Sequence, residues 1–203
     1  MKSKQKDFFA GKANDYDKEI ARTDNVSNIA NLILKEIVYS KEMSLLDFGS
    51  GTGLLLSKIA PHVGKITAVD ISKSMNETLK SKEHSIDCDL DIVEIDLSKE
   101  NLNQKFDGII SSMTIHHVKD TLSLFMKFYT MLNLNGSIAI SDLETEDGTF
   151  HKGDTGVFHF GFEREEFINM AKSAGFKNLK IQRVGLVEKP YGKYPVFLLT
   201  GNK

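Results

Sequence analysis

The segment with the clearest chemical content is a glycine-rich stretch after a short apolar run, Asp47-Phe48-Gly49-Ser50-Gly51-Thr52-Gly53. Glycines allow positive φ and let a ligand approach the bare backbone, and the helix that follows offers N–H groups without partners. A dinucleotide fingerprint counted from Gly49 requires another glycine at position 54, where Leu54 stands. A carboxylate two residues before the first glycine suits a ligand with an amine better than one with phosphates. The loop therefore predicts an amine-bearing cofactor rather than a pyrophosphate.

Two further aspartates follow apolar runs downstream of this loop. Asp70 ends the run Ile66-Thr67-Ala68-Val69, close to the offset of about 20 residues at which a carboxylate accepts hydrogen bonds from ribose hydroxyls. Asp96 ends the next run, at Ile95. A carboxylate in the position of Asp70 selects a vicinal diol, so these residues predict that the cofactor contains a ribose.

Together these motifs resemble the class I S-adenosylmethionine (SAM)-dependent methyltransferases, whose first motif is an acidic residue followed by G-x-G-x-G. The resemblance extends from Asp47 to about Asp142 and implies SAM as the cofactor, held at the first motif by Asp47, Gly49, Ser50, Gly51 and Gly53. It also implies that Asp70 binds the ribose, and that the adenine is contacted by Ile71, Met75, Asp96 and Leu97. Ser112 and Met113 are then expected near the sulfonium, and Tyr16 in an N-terminal segment that folds over the cofactor.

Histidines supply the candidates for proton transfer. An acceptor that must lose a proton needs a general base, and the reference pKa of histidine, about 6.5, suits neutral pH. Ligands of open α/β sheets bind beyond the carboxyl ends of the strands. We therefore predict His116 and His117, which follow the fourth strand, as the catalytic residues. A structural or cofactor-positioning role for them remains open, and His151 and His159 are the other candidates.

The polar stretch after the fifth strand could be either a metal site or a solvated loop. Asp142 and Glu144 could converge with His151 and His159 as a metal site. Their spacings match no recognised ligand pattern, so a solvated loop is favoured and no metal is predicted.

The same stretch also predicts a lid. Its several glycines are typical of a segment that moves, so residues 143–161 are expected to cover the acceptor pocket. Three phenylalanines are expected either to form its apolar inner face or to anchor it on the core: Phe158, Phe160 and Phe162.

Apolar periodicity places these motifs on an alternating pattern of elements. A helix is expected over 26–38, with Asp24 or Asn25 as its N-cap, followed by strands that alternate with helices. Two strand-like runs at 179–187 and 194–200 flank a turn and predict an antiparallel hairpin. The resulting fold class is α/β: a doubly wound, mostly parallel, seven-stranded sheet with helices on both faces and a C-terminal antiparallel hairpin.

Length, charge and composition limit the number of domains, the partners and the cellular location that can be expected. The 203 residues suit a single domain, 1–203, in which 1–24 is the expected cofactor lid. The net charge of −2 and the lack of a basic stripe argue against nucleic acid as a partner. A single cysteine, Cys88, and the lack of a long apolar run or a secretory signal lead us to expect a cytoplasmic protein without a membrane segment.

The leading function is methyl transfer from SAM to a small-molecule acceptor. The Asn/Asp-Pro-Pro-Tyr/Phe motif of base and amide methyltransferases is missing after the fourth strand, where Ser111-Ser112-Met113-Thr114 stands. Two alternatives stay open: a SAM-binding protein without catalysis, and a nicotinamide-dependent oxidoreductase that keeps Asp70 as its ribose ligand. The sequence does not determine the acceptor atom or the oligomeric state.

Overall fold

A computed structural model describes residues 7, 17, 20–153 and 155–203 of the chain. Seven strands form one sheet: β1 (Ser44–Phe48), β2 (Lys65–Asp70), β3 (Asp89–Glu94), β4 (Phe106–Ser112), β5 (Leu132–Leu143), β6 (Lys177–Lys189) and β7 (Gly192–Asn202). Within the described residues, five α-helices accompany them: α1 (Ile20–Glu36), α2 (Leu54–Ile59), α3 (Lys73–Ser81), α4 (Thr121–Met131) and α5 (Arg164–Ser173).

The strand order across the sheet is β3-β2-β1-β4-β5-β7-β6. The first five strands pair in parallel, whereas β7 pairs antiparallel with both β5 and β6. The order reverses at β1, whose neighbours are β2 and β4, and this reversal opens a crevice at the carboxyl ends of those strands. The predicted sheet and its C-terminal hairpin are confirmed.

Each face of the sheet is covered by a separate apolar core. One core contains buried side chains of α1 and α2, such as Ile29 and Leu56, together with Leu45 of β1. The other contains the rings of α4 and α5, such as Phe125 and Phe167, together with Leu46. Because side chains alternate along a strand, the neighbours Leu45 and Leu46 anchor β1 to opposite layers. This double anchoring fixes the end of β1, from which the glycine loop emerges.

The first helix begins earlier than the sequence predicts. It spans Ile20–Glu36, so Asp24 and Asn25 lie within it, and the prediction that either is its N-cap is wrong. Asn25 is 6% exposed, and a Cβ on Gly185 of β6 would lie 2.7 Å from its Oδ1 atom. Tertiary packing against β6 thus accommodates a polar residue that local preference assigns to a helix end.

Candidate active site

A cavity of about 740 Å³ opens at the carboxyl ends of β1, β2 and β4. It is lined by most of the residues predicted to bind SAM: Asp47, Gly49, Ser50, Gly51, Asp70, Ile71, Met75, Asp96, Leu97, Ser112 and Met113. His116, His117 and His151 also line it. Gly53 does not, and Tyr16 lies outside the described residues.

Gly49, Gly51 and Gly53 all have positive φ, but the space around each of them differs. A Cβ on Gly49 would lie 2.1 Å from the Thr114 side chain, and one on Gly53 would lie 2.5 Å from Leu79. A Cβ on Gly51 would have nothing within 4 Å. Gly49 and Gly53 are therefore needed for packing within the protein, whereas Gly51 leaves open the space that a ligand would use.

Asp47 places a buried carboxyl group beside this loop. The residue is 1% exposed, and its Oδ2 atom has no hydrogen-bond partner among the described residues. The pKa of Asp47 is raised to about 8, mainly by burial and to a smaller extent by repulsion from the Asp70 carboxylate. A buried carboxylate without a cation is costly. The α-ammonium of SAM would supply a positive charge here, so this site fits the predicted cofactor.

Asp70 connects the end of β2 to the glycine loop. Its Oδ2 accepts a hydrogen bond of 2.8 Å from the backbone N–H of Gly51, and its Oδ1 accepts one of 2.8 Å from Ser72. Burial raises the pKa of Asp70, against the opposing effect of these two N–H groups. Each carboxylate oxygen retains a second lone pair, which suits a ribose hydroxyl. Asp70 thus shapes the loop and also presents acceptors to the cavity.

We expect Asp70→Ala to weaken the binding of S-adenosylhomocysteine (SAH) by about 10- to 100-fold, the range of hydrogen bonds to a charged group. Part of this loss comes from the released Gly51 N–H, so the 2′,3′-dideoxy analogue of SAH should lose less affinity. Calorimetric titration of both ligands measures the difference. Asp91→Ala, which removes an exposed carboxylate paired with Lys65 at 2.6 Å, is the control. Equal losses for the two ligands would contradict a ribose contact.

The remaining cofactor residues form an apolar slot and its polar rim. Met75 and Leu97 are buried at 3% and 1% exposure, whereas Ile71 is 47% exposed and presents an apolar surface to the cavity. The Asp96 carboxylate accepts hydrogen bonds from Ser98 and forms an ion pair of 2.6 Å with Lys99. This slot has the apolar walls that suit a purine ring.

The carboxyl end of β4 carries a local backbone irregularity. Met113 has a φ of 56°, which is uncommon for a residue with a side chain, and its N–H donates to the Ser141 carbonyl at 2.9 Å. The buried hydroxyl of Ser112 has no partner in the part of the chain that the structure describes. This turn leads directly into the 3₁₀ turn Ile115–His117, which carries the two predicted catalytic histidines.

Three histidines, His116, His117 and His151, form a histidine cluster in the part of the cavity next to the end of β4. His116 is 1% exposed, and its Nδ1 atom lies 2.6 Å from Oδ1 of Asp142, which is fully buried. The Nε2 atoms of His116 and His151 are 3.3 Å apart. Nδ1 of His117 lies 3.2 Å from the Gly156 carbonyl oxygen. The cluster thus unites the end of β4, the end of β5 and the loop that follows β5.

The metal grouping considered from the sequence does not form. Glu144 instead accepts from Arg183 at 2.7 Å, and Nε2 of His159 lies 3.0 Å from the Val118 carbonyl oxygen. Of the four residues in that grouping, Asp142 and His151 reach the histidine cluster. Sequence analysis missed the pairing of Asp142 with His116, since no local pattern joins residues on different strands.

The stretch predicted as a lid is tied to the cluster through the backbone. The N–H groups of Phe158 and His159 donate to the His116 carbonyl at 2.9 and 3.2 Å. Phe158 is 59% exposed and lines the cavity, Phe160 is 58% exposed, and Phe162 is buried in the core at 6%. The three rings therefore do not form a common inner face, and of the three it is Phe162 that anchors the stretch on the core.

Comparison with known proteins identifies the class. Residues 18–185 match the methyltransferase domain family, so the chain belongs to that family. The predicted recognition, a SAM-dependent class I methyltransferase with SAM as its cofactor, is confirmed at the level of the family. No helix in the described parts of the chain is long and apolar enough to cross a membrane.

Individual relatives agree with this class. A methyltransferase of Schizosaccharomyces pombe, described as uncharacterized, is 29% identical over 78% of the chain and 60% of its own length. A malonyl-[acyl-carrier protein] O-methyltransferase of Ilyobacter polytropus is 34% identical over 50% of the chain and 38% of its own length. The chain thus spans less than two thirds of either relative. The phosphoethanolamine N-methyltransferase 2 of Haemonchus contortus, solved with SAH, shares the fold with a TM-score of 0.69 at 18% identity, over 87% of this chain and 52% of that one.

Proposed function

We propose that this chain transfers the methyl group of SAM to a small-molecule acceptor bound in the same cavity. The observation that carries the proposal is the buried Asp47 carboxyl, whose Oδ2 atom has no hydrogen-bond partner among the described residues, beside the open space at Gly51. When bound, SAM supplies a methyl carbon on a positively charged sulfur, which is displaced by an in-line nucleophile. The chain therefore needs mainly to position two ligands and to exclude water.

The position of each group supports one orientation of the cofactor. Asp47 holds the ammonium, Asp70 accepts from the ribose, and Ile71, Met75 and Leu97 enclose the adenine. The amino acid end then lies near β4, with Ser112 and Met113 beside the sulfur. The histidine cluster lies beyond, in the direction that the methyl group leaves.

The acceptor end has features of its own. Phe150 and Tyr191 provide aromatic surface, with the ammonium of Lys189 3.6 Å from the Phe150 ring centre and that of Lys152 4.1 Å from the Tyr191 ring centre. Apolar rings beside ammonium groups favour an acceptor that combines an apolar body with an anionic group. The stretch 143–161 is proposed as the cover of this end, and 1–24, most of which lies outside the described residues, as the cover of the cofactor.

The test is a thermal titration followed by turnover. A ligand that binds only the folded state stabilises it by about 2.7 kcal/mol at 100 times its Kd, so SAH should raise Tm by several degrees. NAD should not, because Leu54 replaces the glycine that a pyrophosphate loop requires. Methyl transfer from SAM to a panel of small organic anions then separates an enzyme from a SAM-binding protein. Stabilisation by NAD alone would contradict the proposal.

A further inference from the structure

The histidine cluster defined above has the composition of a metal site. One ring nitrogen from each of His116, His117 and His151 lies within 4.8 Å of the other two. Imidazole nitrogens are the commonest protein ligands of zinc and related transition metals. The same residues line the cavity, so a cation bound by them would be accessible to a ligand.

The distance between two of the rings agrees with tetrahedral coordination. Zinc binds imidazole nitrogen at about 2.0–2.1 Å, which places two such nitrogens about 3.3–3.4 Å apart in a tetrahedral site. The Nε2 atoms of His116 and His151 are 3.3 Å apart. The ring centres are 4.4, 5.1 and 5.7 Å apart, so all three rings are close enough to reach a single ion.

The surroundings of the rings match those of known metal ligands. A metal-binding histidine usually directs its second nitrogen to a carboxylate or a backbone carbonyl, which fixes its tautomer and orientation. His116 has Asp142 at 2.6 Å from Nδ1, and His117 has the Gly156 carbonyl at 3.2 Å from Nδ1. Asp142 is fully buried, and its carboxylate would offset part of the charge of a cation. In this arrangement the Nε2 atoms of His116 and His117 would face the ion.

We propose that His116, His117 and His151 bind one divalent zinc-class ion, with Asp142 orienting His116 and a fourth position open to the cavity. Three protein ligands with one open position are the arrangement of a catalytic rather than a structural zinc site. The metal-binding claim is independent of methyl transfer, whereas its task rests on the proposed function.

That task is to hold and ionise the acceptor. An acceptor hydroxyl or thiol bound at the open position loses its proton to water more readily, because the cation stabilises the anion. The acceptor lone pair then forms the bond to the methyl carbon, the carbon–sulfur bond breaks, and its electron pair stays on sulfur. In this account the histidines predicted as bases act through the ion.

The experiment uses the full chain without a polyhistidine tag, stripped with a chelator and titrated with Zn²⁺ and separately with Co²⁺. We expect one equivalent of metal to bind, and the cobalt form to show the visible absorption of a four- or five-coordinate site. His151→Asn should lower metal affinity at least tenfold. Asp142→Asn, which alters only the orienting group, should lower it by about 10- to 100-fold.

His159→Asn is the matched control, since the His159 ring lies nearby but contacts the Val118 carbonyl and not the rings of the cluster. It should bind metal as the unaltered chain does. The distance of 3.3 Å between His116 and His151 also fits a direct hydrogen bond, so absence of stoichiometric metal binding would overturn the proposal. Equal metal affinities in His151→Asn and His159→Asn would overturn it as well. SAH titration of the same samples tests the proposed function separately.

Discussion

Replacing Gly51 by alanine should weaken SAH binding by roughly 10- to 100-fold, the cost of about 1–3 kcal/mol that an added methyl group imposes on a filled site. The Cβ would meet no protein atom within 4 Å, so the free protein has room for it. It would occupy the space where the cofactor meets the backbone. The φ of 54° also makes alanine less favourable than glycine, which should lower Tm slightly.

Gly153→Ala is the matched control for this prediction. Gly153 also has positive φ, 88°, and open space around its Cβ position, but it does not line the cavity. It should share the loss in Tm and keep its affinity for SAH. Gly49 is unsuitable, because an added Cβ there strikes Thr114. If Gly51→Ala bound SAH as tightly as Gly153→Ala does, the glycine loop would not be the cofactor site.

Asp47→Asn should weaken SAH binding by about 10- to 100-fold, as Gly51→Ala should, because it removes a charged hydrogen bond to the ammonium. The control ligand is 5′-methylthioadenosine, which has the same adenosine and sulfur but no amino acid group. The unaltered protein and Asp47→Asn should bind 5′-methylthioadenosine with nearly equal affinity. Equal losses for both ligands would show that Asp47 does not bind the ammonium.

The same variant should change the response to pH. Asp47 is mostly protonated below a pKa of about 8, and the bound ammonium favours its ionised form. Between about pH 6 and 7.5 the affinity of the unaltered protein should therefore rise by up to tenfold per pH unit, whereas Asp47→Asn should respond less. Calorimetry in buffers of different ionisation enthalpy should also detect a proton released on binding.

The stability of the free protein should fall as pH rises, whereas the affinity for SAH rises. A folded-state pKa above the unfolded value of about 3.9 means that the folded state binds the proton more tightly. Stability from this group is therefore present below about pH 4 and lost as pH rises toward 8. At pH 7.5 Asp47→Asn should have a higher Tm than the unaltered protein, by about 5 °C or more. The chain thus gives up stability to keep a carboxylate where the cofactor binds.

Sequence analysis predicted most of the residues that line the proposed cofactor half of the cavity, because the signals for them are local. Asp47, Gly51 and Asp70 follow short apolar runs, and the carboxyl ends of neighbouring parallel strands meet at one edge of the sheet. The sequence does not predict which of the glycines is required for packing and which leaves space for a ligand. Gly53 is required by its contact with Leu79, a residue of α3 that no spacing rule connects to the loop.

The acceptor half could be predicted only in outline. His116 and His117 were identified from their place after β4, but Asp142 belongs to β5, and its pairing with His116 depends on the register of two strands. His151 lies in an irregular stretch whose path is fixed by hydrogen bonds to the His116 carbonyl. Such contacts between distant residues depend on the completed fold, so the histidine cluster emerges only from the structure.

A crystal structure with SAH would reveal the orientation of the cofactor along the cavity. We predict that the SAH ammonium lies within hydrogen-bond distance of Asp47 Oδ2 and that the ribose hydroxyls contact Asp70. The adenine should lie against Ile71 and Met75, with the sulfur facing the His116 side of the cavity. SAH in the reverse direction, with adenine at the histidines, or outside this cavity, would contradict the account.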